Sequence, residues 1–539
     1  MYRDIHSWVA IGCGLFLFIA FYAGALTMFE RPLQRWATPP SPLPKPPPLE
    51  ATQALIDATI AARPEIARAF FVNLATGPET PARLSWPAEP NRSRDDPGPV
   101  LEFGAAMAPD GSWVSAPLQT APVTGLIDQL HRQVGLPVPH EAAMVVTGIV
   151  ALMYGLALVS GFITLLPTLV RNLFALRLGT NLRRWWLDVH NALGVVSLPF
   201  HLVMALSVLV FAFHDAFYAA QDAVVYRGGL AQQWAQGRPP RAVPDPQASP
   251  LAPDELVRRI AVQAPGFAPT RLEYATDAEG RLTARVLGTD PRHALRGPNF
   301  GLAAVDPYDG RLVQTDYLPG HQPAYAAIVS QFFGLHFGNY GGSAVRWAYF
   351  LLGLAGAAIF YTGNLLWIES RRRRARRDDP TPAQARSARV MGRVTVGVAL
   401  GCITGISASL AATKWLAGRV DDAAAWHQGL YYAVFLGCLA WAMWRGPALA
   451  STSLLRLAAL ATALIPLSSA IAALVPGLGL WNWGGTTIAV DGVALTGALL
   501  FAHLARRTRK RVRGAPQDSV WSAATRPPTA EPQEGVSRG

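Results

Sequence analysis

The chain has 539 residues, of which 51% are hydrophobic and only 15% charged, and its formal net charge is +12. A water-soluble enzyme of this length usually carries more charge, so a multi-pass membrane protein with some extramembrane mass is expected. The positive excess does not point to nucleic acid, because the arginines cluster beside apolar segments, where the positive-inside rule accounts for them. Cys13, Cys402 and Cys438 lie in apolar stretches without CxxC spacing, which argues against a disulfide framework or a thiolate iron–sulfur site.

Eight apolar segments reach spanning length: 8–29, 143–166, 191–213, 345–368, 391–413, 427–444, 453–475 and 486–505. The first lacks a small-residue cleavage site and reads as a retained helix. Arg171, Arg177, Arg183 and Arg184 lie between the second and third segments, and Arg371 to Arg374 with Arg376 and Arg377 follow the fourth. Both loops are therefore expected in the cytoplasm. Arg445, Arg456 and the run RRTRKRVR at 506–513 agree, placing both termini inside, with a basic, disordered tail over 506–539.

Segments 30–142 and 214–344 then fall outside. The first opens with PPSPLPKPPPLE, a stiff polyproline-like spacer, followed by a helical pattern near 51–68 and the strand-like AFFVNL. The second has a helix at PDELVRRIAVQAPG and strand candidates RLEYATD, RLTARVLG and LAAVDPYDGRLVQT. Each reads as a small α+β module.

Helix, outer module and helix thus occur twice, which points to an internal duplication. His6 opens the first unit as His190 opens the second. LHRQVG at 130–135 precedes the second helix as LHFGNYGG at 335–342 precedes the fourth, and Gly161 matches Gly363. His201 has no twin, since the equivalent depth of the first helix is near Leu17.

Ionisable residues at membrane depth are costly and default to a functional reading. On one continuous helix, His190 and His201 would return to within about 20° of each other and stand roughly 16 Å apart along the axis. Their bland alternatives are interhelical hydrogen bonding for His201 and an interfacial anchor beside Trp185 and Trp186 for His190. Around His336, the turn glycines Gly338, Gly341 and Gly342 would let backbone approach a large planar group. His140, His214, His427 and His503 rank lower, and Lys414 and Asp491 read as groups that snorkel or pair near outer helix ends.

The DVHNALG helix start, the VDPYDGRL turn and the LHFGNYGG segment followed by a TG-containing helix resemble the PepSY-associated transmembrane family of bacterial inner-membrane proteins. The resemblance covers about residues 1–375 and leaves the C-terminal region 391–505 without a motif. It implies a polytopic α-helical membrane protein with two small α+β PepSY-like extracytoplasmic modules. It also implies kinship with haem-containing reductases of ferric siderophores, with haem b, two groups, as the cofactor. By that analogy His201, His336 and His190 are the candidate ligands to haem iron, with His131 and His6 as their repeat partners. Haem iron in electron transfer favours two strong axial ligands, which paired imidazoles on facing helices supply.

No P-loop and no GxGxxG fingerprint stands out, so the electron donor is expected to be quinol or a cytoplasmic reductase. The resulting expectation is haem-dependent electron transfer to a ferric siderophore or another iron chelate on the periplasmic side. Two other classes stay open: a non-catalytic membrane protein whose outer modules bind or regulate a periplasmic partner or protease, and a transporter.

Overall fold

The computed structural model describes residues 1–89, 101–118, 121–169, 182–236, 249–277, 280–374 and 383–523. Arg171, Arg177, Arg376, Arg377 and residues 524–539 lie outside the described residues. The first unit comprises α1 (Tyr2–Thr27), α2 (Glu30–Ala37), α3 (Thr52–Ala62), β1 (Ala69–Asn73), β2 (Leu84–Pro87), β3 (Glu102–Met107), β4 (Trp113–Leu118), α4 (Pro122–Arg132) and α5 (His140–Leu165). The second follows with α6 (Leu182–Val196), α7 (Leu198–Gln221), α8 (Leu230–Gln236) and α9 (Pro253–Gln263). It continues through β5 (Ala268–Thr276), β6 (Leu282–Thr289), β7 (Gly301–Val305), β8 (Leu312–Tyr317), α10 (Ala324–Phe337) and α11 (Gly342–Ser370). Three more helices complete the chain: α12 (Arg386–Leu416), α13 (Ala423–Leu474) and α14 (Ile488–Arg513).

The two modules expected outside the membrane are not separate. All eight strands form one antiparallel sheet in the order β4-β3-β2-β1-β5-β6-β7-β8. The join is the β1–β5 pair, in register from Ala69 opposite Ala275 to Asn73 opposite Arg271. Each of these strands would otherwise be an open edge with unpaired backbone groups, and pairing them removes both edges at once. Alternation along the strands sends Val72, Leu84, Leu272 and Val286 to one face, where they share a core with Leu55 and Ile56 of α3 and Leu256 and Ile260 of α9. The duplication read from the sequence thus becomes a sheet whose halves mirror each other in strand order about one central ladder.

Among the described residues, seven helices are long and apolar enough to cross a membrane. One of them, α13, has 52 residues, about 78 Å at helical rise and more than twice the hydrocarbon thickness of about 30 Å. It is interrupted at Gly446, whose φ of 78° and ψ of 163° are not helical, directly before Pro447.

The expected continuous helix through His190 and His201 is instead broken at Ser197 between α6 and α7. The cause is local: Pro199 has no N–H for the carbonyl of Val195, although Ser197 and His201 keep their backbone bonds to Leu193 and Ser197. α7 also runs past the expected end at 213, to Gln221. The basic run expected to open a disordered tail is helical through Arg513. The following residues fold back, Ala523 donating to the Val512 carbonyl and Asp518 pairing with Arg372.

Candidate functional site

α1 runs through the middle of the duplicated part, and four histidines gather along it as two pairs. His6 on α1 and His190 on α6 have ring centroids 6.4 Å apart with planes at 69°. His131 at the end of α4 and His336 at the end of α10 are 6.3 Å apart with planes at 35°. Each pair takes one ring from each unit. Their levels are set by α1: the first pair includes its residue 6, while His131 lies against Ala20 and Gly24. Fourteen to eighteen residues of helix separate these positions, roughly 21–27 Å. The inner pair is at the end of α1 where Arg371 stacks over Trp8 and Trp367, and the outer pair is at the sheet end.

The hydrogen bonds fix which nitrogen each ring has to offer. His6 Nδ1 lies 2.8 Å from the Ala157 carbonyl and His131 Nδ1 lies 2.8 Å from the Ala20 carbonyl. A carbonyl only accepts, so both Nδ1 atoms carry the proton. His190 Nδ1 lies 3.2 Å from Thr362 Oγ1, whose own hydroxyl donates to the Ala358 carbonyl at 2.8 Å. His336 Nδ1 lies 2.6 Å from Ser207 Oγ, which donates to the Val203 carbonyl at 2.6 Å. Since each hydroxyl hydrogen is spent on backbone, these oxygens also accept from Nδ1. With Nδ1 as the donor in all four rings, Nε2 is the nitrogen each has to offer a ligand, the usual outer-shell arrangement of metal-binding histidine.

Glycines make room for the first-unit rings. A Cβ at Gly161 would stand 2.8 Å from His6, and one at Gly24 would stand 2.6 Å from His131. Gly363, the repeat counterpart of Gly161, faces His190 across 3.5 Å. The glycines after His336, Gly338, Gly341 and Gly342, all have positive φ and lie in the turn between α10 and α11.

His201 stands apart from both pairs. It is 3% exposed, and its ring is surrounded by Phe21, Tyr154, Phe200 and Phe360 rather than by a second imidazole. Its Nδ1 lies 2.5 Å from the Tyr154 hydroxyl, and its Nε2 is buried without a partner. On α5 and α11 its contacts, Tyr154 and Gly356, lie toward the sheet from those of the inner pair. On α1 its contact Phe21 adjoins Ala20, which holds His131. It therefore occupies the interval between the pairs.

The other candidates are dispersed. His140 starts α5 beside Gln133, and His214 pairs with Asp215 at the surface. His427 is buried in α13 with Nδ1 unpartnered, and His503 is exposed on α14. Lys414 and Asp491 do not snorkel. Lys414 is 1% exposed and donates to Ser469 Oγ, which in turn donates to Asp491 Oδ1, with Trp36 Nε1 donating to both oxygens. This buried network ties α2 to the C-terminal helices.

The residues suit a group that needs two axial ligands and brings its own equatorial donors. An imidazole nitrogen bonds a metal at about 2.0–2.1 Å and lies about 1.1 Å from its ring centre, so two imidazoles on one metal have centroids roughly 6.3 Å apart. Both pairs have that spacing. Among the described residues no cluster of three or more His, Cys, Asp or Glu could hold a bare metal ion.

The fold and site define a multi-pass membrane protein with two cross-unit histidine pairs beneath a continuous sheet. The chain belongs to the PepSY-associated TM region family, whose model matches residues 3–370. The match covers the duplicated part and stops before α12. No curated protein matches the chain.

Proposed function

We propose that the protein is a bacterial inner-membrane electron conduit holding one haem b between His6 and His190 and a second between His131 and His336. Electrons from quinol or a cytoplasmic reductase would leave on the periplasmic side to a ferric chelate such as a siderophore. The observation that carries this reading is the repetition of one arrangement at two depths: two imidazoles at the spacing of a shared metal, with every Nδ1 committed as donor. His6 with His190 and His131 with His336 would hold the haems, which would supply one-electron carriers.

The chain's own residues then act as scaffold. Ala157, Ala20, Thr362 and Ser207 orient the rings and raise the basicity of Nε2 by accepting from Nδ1. Gly161 and Gly24 let the rings lie against helix backbone. Phe21, Tyr154, Phe200, His201 and Phe360 fill the interval between the pairs and would keep it dry, and on this reading His201 lies between the carriers rather than among their ligands. With α13 counted as two arms about Gly446, giving eight crossings, and with both termini in the cytoplasm, the inner pair would lie at the donor side. Oxygen-rich chelates hold ferric iron better than ferrous iron, so reduction outside would release it.

The test is the visible spectrum and haem content of the purified protein, expressed with ample haem. Two low-spin haems per chain, reduced by dithionite and reoxidised by a ferric chelate, are expected. A chain without haem would sink the proposal and leave the PepSY-type partner-binding and transporter readings.

A further inference from the structure

The basic run at the end of α14 is built into the structure. It presents Arg506, Arg507, Arg509, Lys510 and Arg513, all exposed, and their side chains have no ion pair or hydrogen bond among the described residues. The chain then turns back and fixes this helix end. Ala523 donates to the Val512 carbonyl at 3.2 Å, Asp518 pairs with Arg372, and Val520 and Trp521 pack against Trp367, Ile368 and Ala388. A topology signal works through charge alone and needs no such order, whereas holding ten residues in place costs conformational entropy.

Reach and position say what the order is for. The apolar part of α14 ends near Ala505, and eight further helical residues add about 12 Å, or roughly 11 Å at a tilt of about 20°. The polar layer on each side of a bilayer is about 5–8 Å thick, so Lys510 and Arg513 stand beyond the lipid headgroups. The same face borders the inner pair. Arg511 Cζ lies 5.4 Å from the ring centre of Trp186, four residues before His190. Trp8, two residues after His6, is 62% exposed. Arg371 Cζ stands 5.4 Å from its ring and 3.8 Å from that of Trp367, one turn along α11 from Gly363, which faces His190. Exposed tryptophan and arginine together are typical of protein docking faces.

We propose that this face docks an acidic, soluble one-electron carrier protein of the flavin or iron–sulfur kind, as the donor to the inner pair. The inference rests on the electron-conduit reading above and chooses its donor. Unpaired cations that project into water steer an acidic protein to the face and set its orientation. A neutral quinol in the bilayer gains nothing from them, and anionic headgroups do not extend to the last turn. One electron leaves the carrier's reduced centre and converts the inner ferric haem to ferrous, with no bond made or broken between the two proteins.

Oxidised two-iron ferredoxin of the plant type, an acidic carrier of this kind, tests docking without any electron transfer. Calorimetry on the full-length protein in phosphatidylcholine nanodiscs should show saturable binding at low salt that largely disappears above about 0.15 M, where the Debye length is about 8 Å. The triple variant Arg506→Glu, Arg509→Glu, Lys510→Glu should bind at least about tenfold more weakly, with haem content unchanged. Trp521→Ala keeps every cation but frees the fold-back, and it should also weaken binding. Reduced ferredoxin should then reduce the wild-type haems faster than those of either variant. No binding to the wild type, or equal binding to both variants, overturns the assignment. If the triple variant instead loses co-purifying phosphatidylglycerol and keeps its ferredoxin affinity, lipid headgroups are the occupant and the proposal is wrong. The conduit reading fails separately: a haem-free wild type refutes it whatever ferredoxin does, whereas a haem-loaded protein that ferredoxin neither binds nor reduces sinks only the donor assignment.

Discussion

The inner pair, His6 and His190, is held by α1, α5, α6 and α11, whereas the outer pair, His131 and His336, stands on α4 and α10, which follow the strands of the sheet. Both follow one recipe, a first-unit ring on a backbone carbonyl beside a glycine and a second-unit ring on a hydroxyl that is itself bonded to backbone. The supports come from α5 and α11 for the inner pair and from α1 and α7 for the outer pair, which are repeat-related helices in each case. The difference lies in what fixes the ligand-bearing helices. α4 follows β4 and α10 follows β8, so the outer pair inherits its geometry from the sheet. Tyr432 of α13 also reaches the Gly135 carbonyl just beyond α4. Damage to the sheet should therefore reach the outer pair and spare the inner one.

Removing a ring gives the largest effect. His6→Ala and His131→Ala should each lose one haem of two, and the double variant should lose both. After His6→Ala, dithionite should still reduce the remaining haem while the natural donor side no longer does; after His131→Ala the donor side should reduce a haem that ferric chelates reoxidise slowly. Haem quantified per protein, with stopped-flow spectra, checks this. His201→Ala should keep both haems, and loss of one in that variant would return His201 to the ligand set.

These pairings were only partly legible in the sequence. The duplication matched His6 with His190 and His131 with His336, and those repeat partners are the pairs found, because a two-fold arrangement brings equivalent positions together. Depth along the chain also singled out His201, and only its alignment with His190 assumed a straight helix, which Pro199 interrupts. The ring-clearing role of Gly24 gave no local signal, since one glycine in an apolar helix resembles any other until its neighbour is known. The strands could be read from alternation, but the β1–β5 join could not. Pairing between strands about two hundred residues apart depends on edges that only the folded halves expose.

Next in size are the glycines. Gly24→Ala would drive a methyl to within 2.6 Å of His131 Nδ1 and Gly161→Ala to within 2.8 Å of His6, so each ring must leave its carbonyl. Each variant should bind its own haem weakly and the other normally, as read by haem retention on dilution. Gly155→Ala, where a Cβ would meet only Leu209 at 3.9 Å, is the control and should behave as wild type. Loss of both haems from Gly24→Ala would mean that the two sites are not independent.

The hydroxyl supports should have a smaller effect, and an unequal one. Ser207 Oγ is 2.6 Å from His336 Nδ1, whereas Thr362 Oγ1 is 3.2 Å from His190 Nδ1. Loss of such an outer-shell partner typically costs 10–100-fold, so Ser207→Ala should weaken the outer haem by about tenfold or more. Thr362→Val should disturb the inner haem less. Midpoint potentials from a spectroscopic titration would separate the two, and a larger shift at the inner site would reverse the ranking.

The smallest effect concerns pH and should appear at the sheet side alone. Hydrogen bonds from Arg292 to Asp290 hold this carboxyl down to about 2, and together they pin the loop that carries Arg296. A carboxyl depressed in the folded state stabilises above its unfolded value, about 3.9, and that contribution fades as pH falls through the native value. Arg292 is 63% exposed, so solvent screening keeps the pair's contribution small. Chelate reoxidation should hence be level through neutral pH and decline only below about pH 4, with the inner haem's spectrum unchanged. Asp290→Asn should show part of that decline already at pH 7. If it instead alters the inner haem, the sheet does not act through the outer pair alone, and the contrast between the two pairs is wrong.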